Sequence, residues 1–344
     1  MSTLTDLPLQ PMQVAIVGAT GVVGQMMRRV LEERNFPVTR LIPVASERSA
    51  GKSVRFNDDM IPVVTVEEAL TLKPDLALFS AGATTSLAWA PAFEEQGAWV
   101  IDNSSAFRME TDCALVVPEI NPDSISGKRQ IIANPNCSTI QMVMALAPLH
   151  QAYGIRRIVV STYQSVSGSG AKGLMQLHTE RSSNCRLTEN PAYPHRIDMN
   201  VIPHCDVFLD NDYTREEMKL HHETRKILRS DSIQVSATAV RVPVSGGHSE
   251  SVNVTFGQDF DLDEVRRLMA SMPGVVVLDN PAQAAYPMPL EAEGKDEVFV
   301  GRVRRDFTAE NTLNLWVVSD NLRKGAATNA VQIAQWLAEN GLLH

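Results

Sequence analysis

Cysteine is scarce in this sequence, and its spacing excludes two kinds of site. The four cysteines among 344 residues stand at positions 113, 137, 185 and 205, and no two of them form a CxxC pair. A chain of this length without an export signal is expected to keep its thiols reduced, which excludes a disulfide framework. The adjacent pairs His204-Cys205 and His221-His222 point their side chains apart, so we expect no metal site. The sequence assigns no role to Cys113, Cys185 or Cys205.

Clustered positive charge and long apolar runs are also lacking. The formal net charge is −9, and the basic residues form no stripe that could bind nucleic acid. The uncharged run at residues 76–93 is interrupted by polar residues and Pro91, so we predict a strand followed by a loop there, and no membrane span. Residues 1–11 lack the basic start and the apolar segment of a signal peptide. We therefore expect a flexible N-terminal tail and a cytoplasmic protein.

The length and the first pattern along the chain predict two domains, the first of them doubly wound. Short apolar runs alternate with helical or looped segments; the runs are residues 14–17, 39–45, 76–79 and 99–102, and the clearest helix is residues 21–34. Such runs are typical of parallel strands that are covered on both faces. The predicted fold of this part is a Rossmann-type α/β domain.

The pattern changes after Cys137. Longer strand candidates follow at residues 155–166, 233–244, 249–256, 298–304 and 312–319, separated by a few helices at 171–184, 215–228 and 262–272. Long strands with few helices between them predict an α+β domain with a mixed, largely antiparallel sheet. The final segment, 325–343, has one apolar helical face, which we expect to pack back on the first domain.

A glycine-rich turn near the N-terminus predicts a cofactor site. Residues 13–24, QVAIVGATGVVG, form an apolar run that leads into three glycines and then into a helix. Glycines at this spacing allow a tight turn and close approach of a pyrophosphate, which then faces the helix N-terminus. The predicted dinucleotide-binding residues are Gly18, Thr20, Gly21, Val22, Val23 and Gly24. A purely structural turn is the alternative.

The end of the second apolar run predicts which dinucleotide binds. A site for NAD places an acidic residue there, whereas this run ends in ASERSAG, residues 45–51. Arg48 can pair with the 2′-phosphate of NADP, and the hydroxyls of Ser46 and Ser49 can donate to it. The predicted cofactor is therefore NADP. The alternative is a solvated surface loop in which Glu47 is the acid.

Cys137 is the candidate nucleophile. It stands in ANPNCST, residues 133–139, between a strand-like and a helix-like run, so its thiol falls on a first helical turn. Unpaired backbone N–H groups and the helix dipole favour the thiolate there. A thiolate beside a nicotinamide suits attack on an aldehyde, loss of hydride and formation of a thioester. The alternative is an inert buried thiol.

His248 is the candidate acid/base group. It follows RVPVSGG, residues 241–247, and the two glycines leave the imidazole uncrowded. Arg241, seven residues earlier, could hold a substrate carboxylate beside it. A histidine without function in a strand-end turn is the alternative.

Seven motifs extend in order across nearly the whole chain: GATGVVG, ASERSAG, NSSAFR, NPNCST, YQSVSGSG, EEMK and RVPVSGGH. Together they resemble those of bacterial aspartate-semialdehyde dehydrogenase, and the combination of NPNCST with RVPxxxGH is highly specific. The resemblance implies a homodimeric NADP enzyme that converts L-aspartyl 4-phosphate to L-aspartate 4-semialdehyde and releases inorganic phosphate. This reaction leads to diaminopimelate, lysine, methionine, threonine and isoleucine.

The resemblance also implies roles for individual residues. The catalytic residues would be Cys137, His248 and Gln164; the substrate-binding residues Arg108, Asn136, Glu216, Lys219 and Arg241; and further cofactor-binding residues Ser80, Ala81, Gly82, Ser167, Gly168 and Asn321. From the sequence alone, without the resemblance, Glu216 and Lys219 at i, i+3 would be interpreted as a surface ion pair. The implied domains are residues 12–136 with 325–344 for NADP and residues 137–324 for catalysis and dimerisation.

Two rival functions remain from the sequence. Another acyl-phosphate reductase, such as N-acetylglutamyl-phosphate reductase, shares the architecture and the cysteine but carries Gly-Cys-Tyr where this chain has Asn136-Cys137-Ser138. Its acylated amine would also give Glu216 no positive charge to bind. A non-catalytic NADP-binding paralogue is the second rival, although it would most simply have lost Cys137 or His248.

Overall fold

The computed structural model describes residues 10–182 and 190–343. Residues 1–9 of the predicted tail, Cys185, and the end of the helix predicted at 171–184 lie outside the described residues. The described chain divides into two units: residues 10–135 with 326–343, and residues 136–182 with 190–325. Each unit is described below by itself.

The first unit is built on a six-stranded parallel sheet. Its strands are β1 (Met12–Val17), β2 (Val38–Val44), β5 (Leu76–Phe79), β6 (Trp99–Asp102), β7 (Ala114–Leu115) and β8 (Ile131–Ala133). Their order is β2-β1-β5-β6-β8-β7, and every neighbouring pair is parallel. A separate hairpin consists of β3 (Ser53–Phe56) and β4 (Asp59–Pro62). The sheet confirms the predicted Rossmann-type fold.

Four helices accompany this sheet: α1 (Val22–Glu33), α2 (Val66–Thr71), α3 (Ala83–Glu95) and α9 (Thr328–Glu339). The core joins strand residues such as Ile16 and Leu78 with Leu31 of α1 and with Ile333 and Leu337 of α9. The apolar face of the last segment is therefore part of the core of this unit.

The loop predicted after β5 is wrong, because residues 83–95 form helix α3. Pro91 lies inside this helix. The helix buries Ser86, Ala90 and Phe93, and the Phe93 ring packs edge-on against Phe79 of β5, with the ring centroids 5.5 Å apart. Burial of this face against the sheet outweighs the unfavourable effect of the proline, which was one reason for predicting a loop.

The second unit contains a mixed sheet. Its strands are β9 (Ile155–Gln164), β10 (Gln234–Arg241), β11 (His248–Phe256), β12 (Val275–Val277), β13 (Val298–Arg305) and β14 (Thr312–Ser319). In the order β10-β9-β11-β14-β13-β12, the three inner pairs are antiparallel and the two outer pairs are parallel. This confirms the predicted mixed, largely antiparallel sheet.

The helices of this unit are α4 (Cys137–Tyr153), α5 (Gly170–Ser182), α6 (Arg215–Ile227), α7 (Leu262–Ser271) and α8 (Pro289–Ala292). Helix α4 contacts four strands of the sheet as well as α6 and α7. It is apolar on nearly all sides, with most of its residues from Ser138 to Leu149 buried, as expected for a central helix.

Two further features concern the described residues as a whole. Within residues 10–182 and 190–343, no helix combines the length and the hydropathy that a membrane crossing requires. In the same ranges, no three His, Cys, Asp or Glu side chains come together as a metal site would need.

Candidate active site

Cys137 is the first residue of α4, and Asn136 caps this helix. The Oδ1 atom of Asn136 accepts the backbone N–H groups of Ser138 at 3.0 Å and of Thr139 at 3.2 Å. Asparagine is among the best N-cap residues because its side chain satisfies amides that have no partner within the helix. The dipole of this 17-residue helix places positive potential at the thiol of Cys137, which is partly exposed. This environment favours the thiolate.

Helix α6 presents three charged residues, Glu216, Lys219 and Glu223, to the cap of α4 and its surroundings. Glu223 Oε2 accepts the backbone N–H of Asn136 at 2.7 Å, and Glu216 Oε1 accepts the side-chain amide of Asn136 at 2.9 Å. Lys219 Nζ donates to Glu216 Oε2 at 2.8 Å and to Asp206 Oδ2 at 2.9 Å. The start of α6 thus lies beside the start of α4.

Glu216 and Lys219 form a largely buried ion pair, so the alternative of a surface pair is wrong. Their side chains are only 9% and 18% exposed. Burial raises the pKa of Glu216, but the charge and hydrogen bond of Lys219, with hydrogen bonds from Asn136 and Gln164, lower this pKa to about 2. Burial lowers the pKa of Lys219, yet Glu216 and Asp206 raise it overall. An anion and a cation therefore stand side by side at neutral pH.

The end of β9 connects the cysteine helix with the imidazole of His248. Gln164 Nε2 donates to Ser138 Oγ at 2.9 Å and to Glu216 Oε1 at 3.1 Å. The next residue, Ser165, donates its backbone N–H to Nδ1 of His248 at 3.1 Å. Two consecutive residues therefore contact both reactive groups: Gln164 holds Ser138, the neighbour of Cys137, and Ser165 holds His248.

His248 is fully buried and is the first residue of β11, not a residue of the preceding turn. Burial and, next, the positive charge of Arg241 lower its pKa to about 3, and the Glu216 carboxylate and the Gly247 carbonyl oppose this shift only in part. The imidazole is therefore neutral at physiological pH.

Ser167 and Asn321, which the resemblance placed at the cofactor, are connected to the His248 imidazole through Ser165. The hydroxyls of Ser165 and Ser167 each donate to Asn321 Oδ1 at 3.0 Å, and Ser165 Oγ is also 3.0 Å from Nδ1 of His248. Ser167 and Asn321 thus belong to the hydrogen-bond network of the catalytic histidine candidate.

Arg241 ends β10 beside His248. Its Nη1 donates to the carbonyl of Ser165 at 2.7 Å, and its guanidinium lies 5.8 Å from the centroid of the Tyr193 ring. A Cβ atom on Gly168 would lie 2.6 Å from Arg241 Nη1 and 3.1 Å from His248 Nε2. The glycine is needed because any side chain there would displace both groups.

In the first unit, the turn after β1 fits a dinucleotide. Gly18 has a φ of +94°, and a Cβ on it would lie 2.9 Å from the backbone of Ser80; a Cβ on Gly24 would lie 2.2 Å from the carbonyl oxygen of Gly18. Gly21 is the N-cap of α1, and in the described part of the chain no side chain caps this helix. The first backbone N–H groups of this helix can therefore bind a phosphate. They follow Thr20 and include those of Val22 and Val23.

Three loops that carry predicted cofactor residues follow neighbouring strands at the same edge of the sheet. Gly18 follows β1, Ser46, Arg48 and Ser49 follow β2, and Ser80, Ala81 and Gly82 follow β5. Ser46 and Arg48 are exposed. Dinucleotides bind at this carboxyl-end edge of doubly wound sheets.

Arg108 belongs to the first unit, whereas the other predicted substrate residues belong to the second. It is buried, and its guanidinium donates to the backbone carbonyls of Asn134 at 2.9 Å and Asn103 at 3.0 Å. These bonds fix the orientation of its planar group.

Four residues of the site were not found from the sequence. Ser138 and Ser165 are direct neighbours of predicted residues. Glu223 lies seven residues after Glu216, on the same face of helix α6, so helical periodicity could have identified it. Gly325 carries no such signal. A Cβ on it would lie 2.8 Å from Cys137 Cβ, so its role is visible only in the fold.

Comparison with known families defines the class of protein. Residues 13–128 match the family described as semialdehyde dehydrogenase, NAD binding domain, and residues 146–324 match semialdehyde dehydrogenase, dimerisation domain. The parallel sheet with its glycine turn and the second unit with its buried polar site are thus those of a semialdehyde dehydrogenase, an oxidoreductase that uses a nicotinamide dinucleotide.

The chain belongs to the aspartate-semialdehyde dehydrogenase family. It is 52% identical over 337 residues to the aspartate-semialdehyde dehydrogenase of Aquifex aeolicus, which covers 96% of this chain and 99% of that protein. The crystal structure of aspartate semialdehyde dehydrogenase II complexed with ASA from Vibrio cholerae superposes with a TM-score of 0.92 at 48% identity, over 96% of this chain and 99% of that one. The enzyme with NADP from Candida albicans gives 0.75 at 26% identity, over 96% and 99%. The resemblance carried by the seven motifs is confirmed.

Proposed function

We propose that this protein reduces L-aspartyl 4-phosphate to L-aspartate 4-semialdehyde with NADPH and releases inorganic phosphate. The observation that carries the proposal is the grouping in one unit of a cysteine at a helix start with a buried Glu216–Lys219 pair and with Arg241 and His248. These groups match a substrate with an acyl phosphate, an ammonium and a carboxylate.

The proposed substrate contacts follow from charge. Arg241 would hold the α-carboxylate, since its Nε is buried and has no hydrogen-bond partner in the described ranges. Glu216, ionised at neutral pH, would bind the α-ammonium. Lys219, with Asn136 and Arg108, would bind the phosphate, and Gln164 would orient the acyl group.

In the proposed reaction, the Cys137 thiolate attacks the acyl carbon and displaces phosphate, which leaves a thioester on the sulfur. The N-terminus of α4 stabilises the thiolate and the developing oxyanion. When bound, NADPH supplies the hydride that reduces the thioester to the aldehyde. The sequence-based role of His248 is to act as acid and base at the reacting oxygen.

The proposed NADP-binding domain is residues 12–136 with 325–344, and the proposed catalytic and dimerisation domain is residues 137–324. The two units of the structure differ from this division by one residue at each boundary, because Asn136 and Gly325 belong to the second unit. The glycine turn fits the pyrophosphate, and Arg48 with Ser46 and Ser49 offers a cation and two hydroxyls for a 2′-phosphate. The NADP-bound relative from Candida albicans supports NADP over NAD.

The match to a dimerisation domain supports a homodimer, which sedimentation of the purified protein would detect. We further propose a cytoplasmic role in the biosynthesis of lysine, diaminopimelate, methionine, threonine and isoleucine. Cells that lack the protein should then require these amino acids for growth.

The direct test runs the reaction backwards. Reduced protein is mixed with aspartate semialdehyde, phosphate and NADP, and NADPH is followed by its absorbance. We expect turnover that depends on phosphate. The Cys137→Ala variant should show no turnover but should still bind NADP. N-acetylglutamate semialdehyde is the control substrate; turnover of that compound alone would show the rival reductase, and no turnover of either would favour the non-catalytic paralogue.

The preference for NADP has its own test. Replacement of Arg48 with Leu removes the cation that would pair with the 2′-phosphate, so NADP affinity should fall far more than NAD affinity. A charge-assisted pair of this kind contributes about 1.5–3 kcal/mol, roughly 10- to 150-fold in the dissociation constant. Equal weakening of both cofactors would contradict the assignment.

A further inference from the structure

The segment at residues 190–203, which lies between helices α5 and α6 in the sequence, holds Arg241 by its backbone. The N–H of Ile202 donates to the carbonyl of Arg241 at 2.9 Å, and the N–H of Arg241 donates to the carbonyl of Ile202 at 2.8 Å. Such a reciprocal pair is typical of antiparallel strands. The segment therefore fixes the position from which the arginine side chain extends.

The same segment places the ring of Tyr193 over the guanidinium of Arg241. The guanidinium carbon lies 5.8 Å from the ring centroid, and each of the two residues is only 6% exposed. A cation within about 6 Å of an aromatic centroid is attracted by the ring, and the attraction is stronger where both groups are removed from water. This contact restricts the guanidinium on one side.

Tyr193 is itself held in a fixed position. Its backbone N–H donates to Gln176 Oε1 at 3.0 Å, and its hydroxyl donates to Ser169 Oγ at 2.9 Å. Gly173 leaves room for this hydroxyl, because a Cβ atom there would lie 2.9 Å from the hydroxyl oxygen. Burial raises the pKa of Tyr193, and Arg241 and the hydrogen bond to Ser169 lower it only in part, so the phenol is neutral at physiological pH.

These contacts leave part of the guanidinium available to a ligand. Nη1 of Arg241 donates to the carbonyl of Ser165 at 2.7 Å, whereas Nε is buried and has no hydrogen-bond partner among residues 10–182 and 190–343. A buried N–H donor without an acceptor is costly, and such donors occur where a ligand supplies the acceptor. Because one end is bonded and one face is covered by the ring, the planar group is oriented before a ligand arrives.

We propose that Tyr193 is a positioning residue for substrate binding, and that its ring holds the Arg241 guanidinium in the orientation that receives the α-carboxylate. The inference rests on the proposed function, in which Arg241 binds this carboxylate. A mobile arginine side chain must lose rotamer freedom when it binds a carboxylate through two hydrogen bonds, whereas an oriented one has already lost it. Tyr193 therefore increases substrate affinity by acting through Arg241.

The proposal predicts an effect on substrate binding and not on the chemical step. The α-carboxylate takes no part in the reaction, so Arg241 holds it equally in the substrate and in the transition state. Loss of such uniform binding raises KM and leaves kcat unchanged. The KM for phosphate should not change, because the proposed phosphate ligands, Lys219, Asn136 and Arg108, do not include Arg241.

The first test measures steady-state kinetics with aspartate semialdehyde, phosphate and NADP. In Tyr193→Leu, which removes the ring but keeps an apolar side chain, we expect the KM for the semialdehyde to rise about 5- to 30-fold, as for loss of a buried cation–π contact. The kcat and the KM for phosphate should stay close to those of the wild type. A fall in kcat with an unchanged KM would overturn the proposal. If the leucine variant folds poorly, Tyr193→Met takes its place, since methionine fills irregular space.

Two further variants separate the ring from the hydroxyl and from the fold. Tyr193→Phe keeps the ring and loses the hydrogen bond to Ser169, so the KM for the semialdehyde should stay close to that of the wild type. Leu177→Ala opens the small apolar cluster that also contains Tyr193, and it should lower stability without raising this KM. A KM raised in Tyr193→Phe as much as in Tyr193→Leu would assign the effect to the hydroxyl. A KM raised equally in Leu177→Ala would assign it to a loosened fold. Either result would contradict the proposal.

A double-mutant cycle tests whether Tyr193 acts through Arg241. Arg241→Gln removes the cation, and kcat/KM for the semialdehyde should fall. If Tyr193 acts only through this cation, the addition of Tyr193→Leu to Arg241→Gln should cause little further loss, whereas the losses from two independent residues multiply. Multiplication of the two losses would show that Tyr193 has a role of its own and that the proposal is wrong.

The last measurement detects the contact without turnover. In protein labelled with ¹⁵N-arginine, the Nε–H signal that is missing from Arg241→Gln is that of Arg241. Because the aromatic ring shifts this signal, its frequency should change in Tyr193→Leu and change little in Tyr193→Phe. An unchanged signal in Tyr193→Leu would overturn the proposal. A wild type that fails to turn over the semialdehyde would instead remove the proposed function, and the NMR result would show separately whether the ring orients Arg241.

Discussion

The Glu223 carboxylate accepts the backbone N–H of Asn136 across 2.7 Å, so a residue of α6 fixes the cap of the helix that carries Cys137. Both partners are buried. Because Asn136 in turn caps α4 through its side chain, Glu223 holds the nucleophile in place without being near it in sequence.

Replacement of Glu223 with Ala should destabilise the protein. The change leaves a buried amide without an acceptor, which costs about 1–3 kcal/mol in the free energy of unfolding. Chemical denaturation measures this cost, and the rate of alkylation of Cys137 should change with it. Glu223→Gln keeps an oxygen acceptor and should lose less; an equal loss in the two variants would show that charge, and not the hydrogen bond, matters.

Gly325 supports Cys137 from a distant part of the chain. A Cβ there would lie 2.8 Å from Cys137 Cβ and 3.3 Å from its Cα, so Gly325→Ala must shift the nucleophile. A displacement near 1 Å in an active site can cost about 10²-fold, and we expect kcat/KM to fall by roughly that factor. In Gly257→Ala the new Cβ meets only ordinary contacts from 3.4 Å outward. Similar loss in both variants would indicate a general effect on the fold.

Glu250 should make stability depend on pH. It is fully buried on β11, and neither carboxylate oxygen has a hydrogen-bond partner within the described ranges. Burial raises its pKa well above the usual value; the nearby Gln141 side chain, whose amide donates to the His248 carbonyl at 3.4 Å, lowers this pKa only in part. The unfolded chain ionises Glu250 at a lower pH than the folded protein, so this residue's contribution is complete below about pH 4.3 and is lost as the pH rises from there.

The matching variant is Glu250→Gln, which is neutral at every pH. Its advantage over the wild type in the free energy of unfolding should be smallest near pH 4 and should increase toward pH 8. Urea denaturation at several pH values provides the comparison. A difference that is constant across this range would mean that Glu250 does not ionise differently in the two states.

Lys219 compensates the buried charge of Glu216. Lys219→Met removes the main group that lowers the pKa of Glu216 and leaves a carboxylate without its cation. Breaking one side of a buried pair typically costs about 3–5 kcal/mol, and partial exposure of Lys219 places our expectation at the lower end. Thermal and chemical denaturation test this. Lys52→Met, at an exposed position, is the control and should change stability little.

Local sequence patterns predicted the longer strands of both sheets and the helix start at Cys137, but they did not predict the short strands β3, β4, β7 and β12 or the contacts between elements. Leu76–Phe79 and Trp99–Asp102 coincide with the predicted runs because short, largely apolar segments between turns leave few alternatives. Helix α3 was missed because burial of Phe93 against Phe79 overrides the local effect of Pro91. The glycine turn and Cys137 were recognisable because backbone conformation and helix-start chemistry constrain the residue types.

The residues that hold the reactive groups could not be derived in this way. Ser165 contacts His248 across 83 positions of sequence, and Glu223 contacts Asn136 across 87. Such pairs depend on which strand neighbours which, and serine or glutamate at these positions has no local signature.

The discontinuity of the first unit affects how the protein is made. Its core includes residues from the C-terminal segment 327–343, among them Ile333 and Leu337 of α9, although the other members of that core are encoded before residue 136. At about 5–20 residues per second, the ribosome needs roughly 10–40 s to synthesise the intervening chain. During this interval the early sheet lacks one of its covering helices, whereas the second unit is contiguous and can finish first. Chaperones would therefore find the most exposed apolar surface while the N-terminal part of the chain is made and α9 is not.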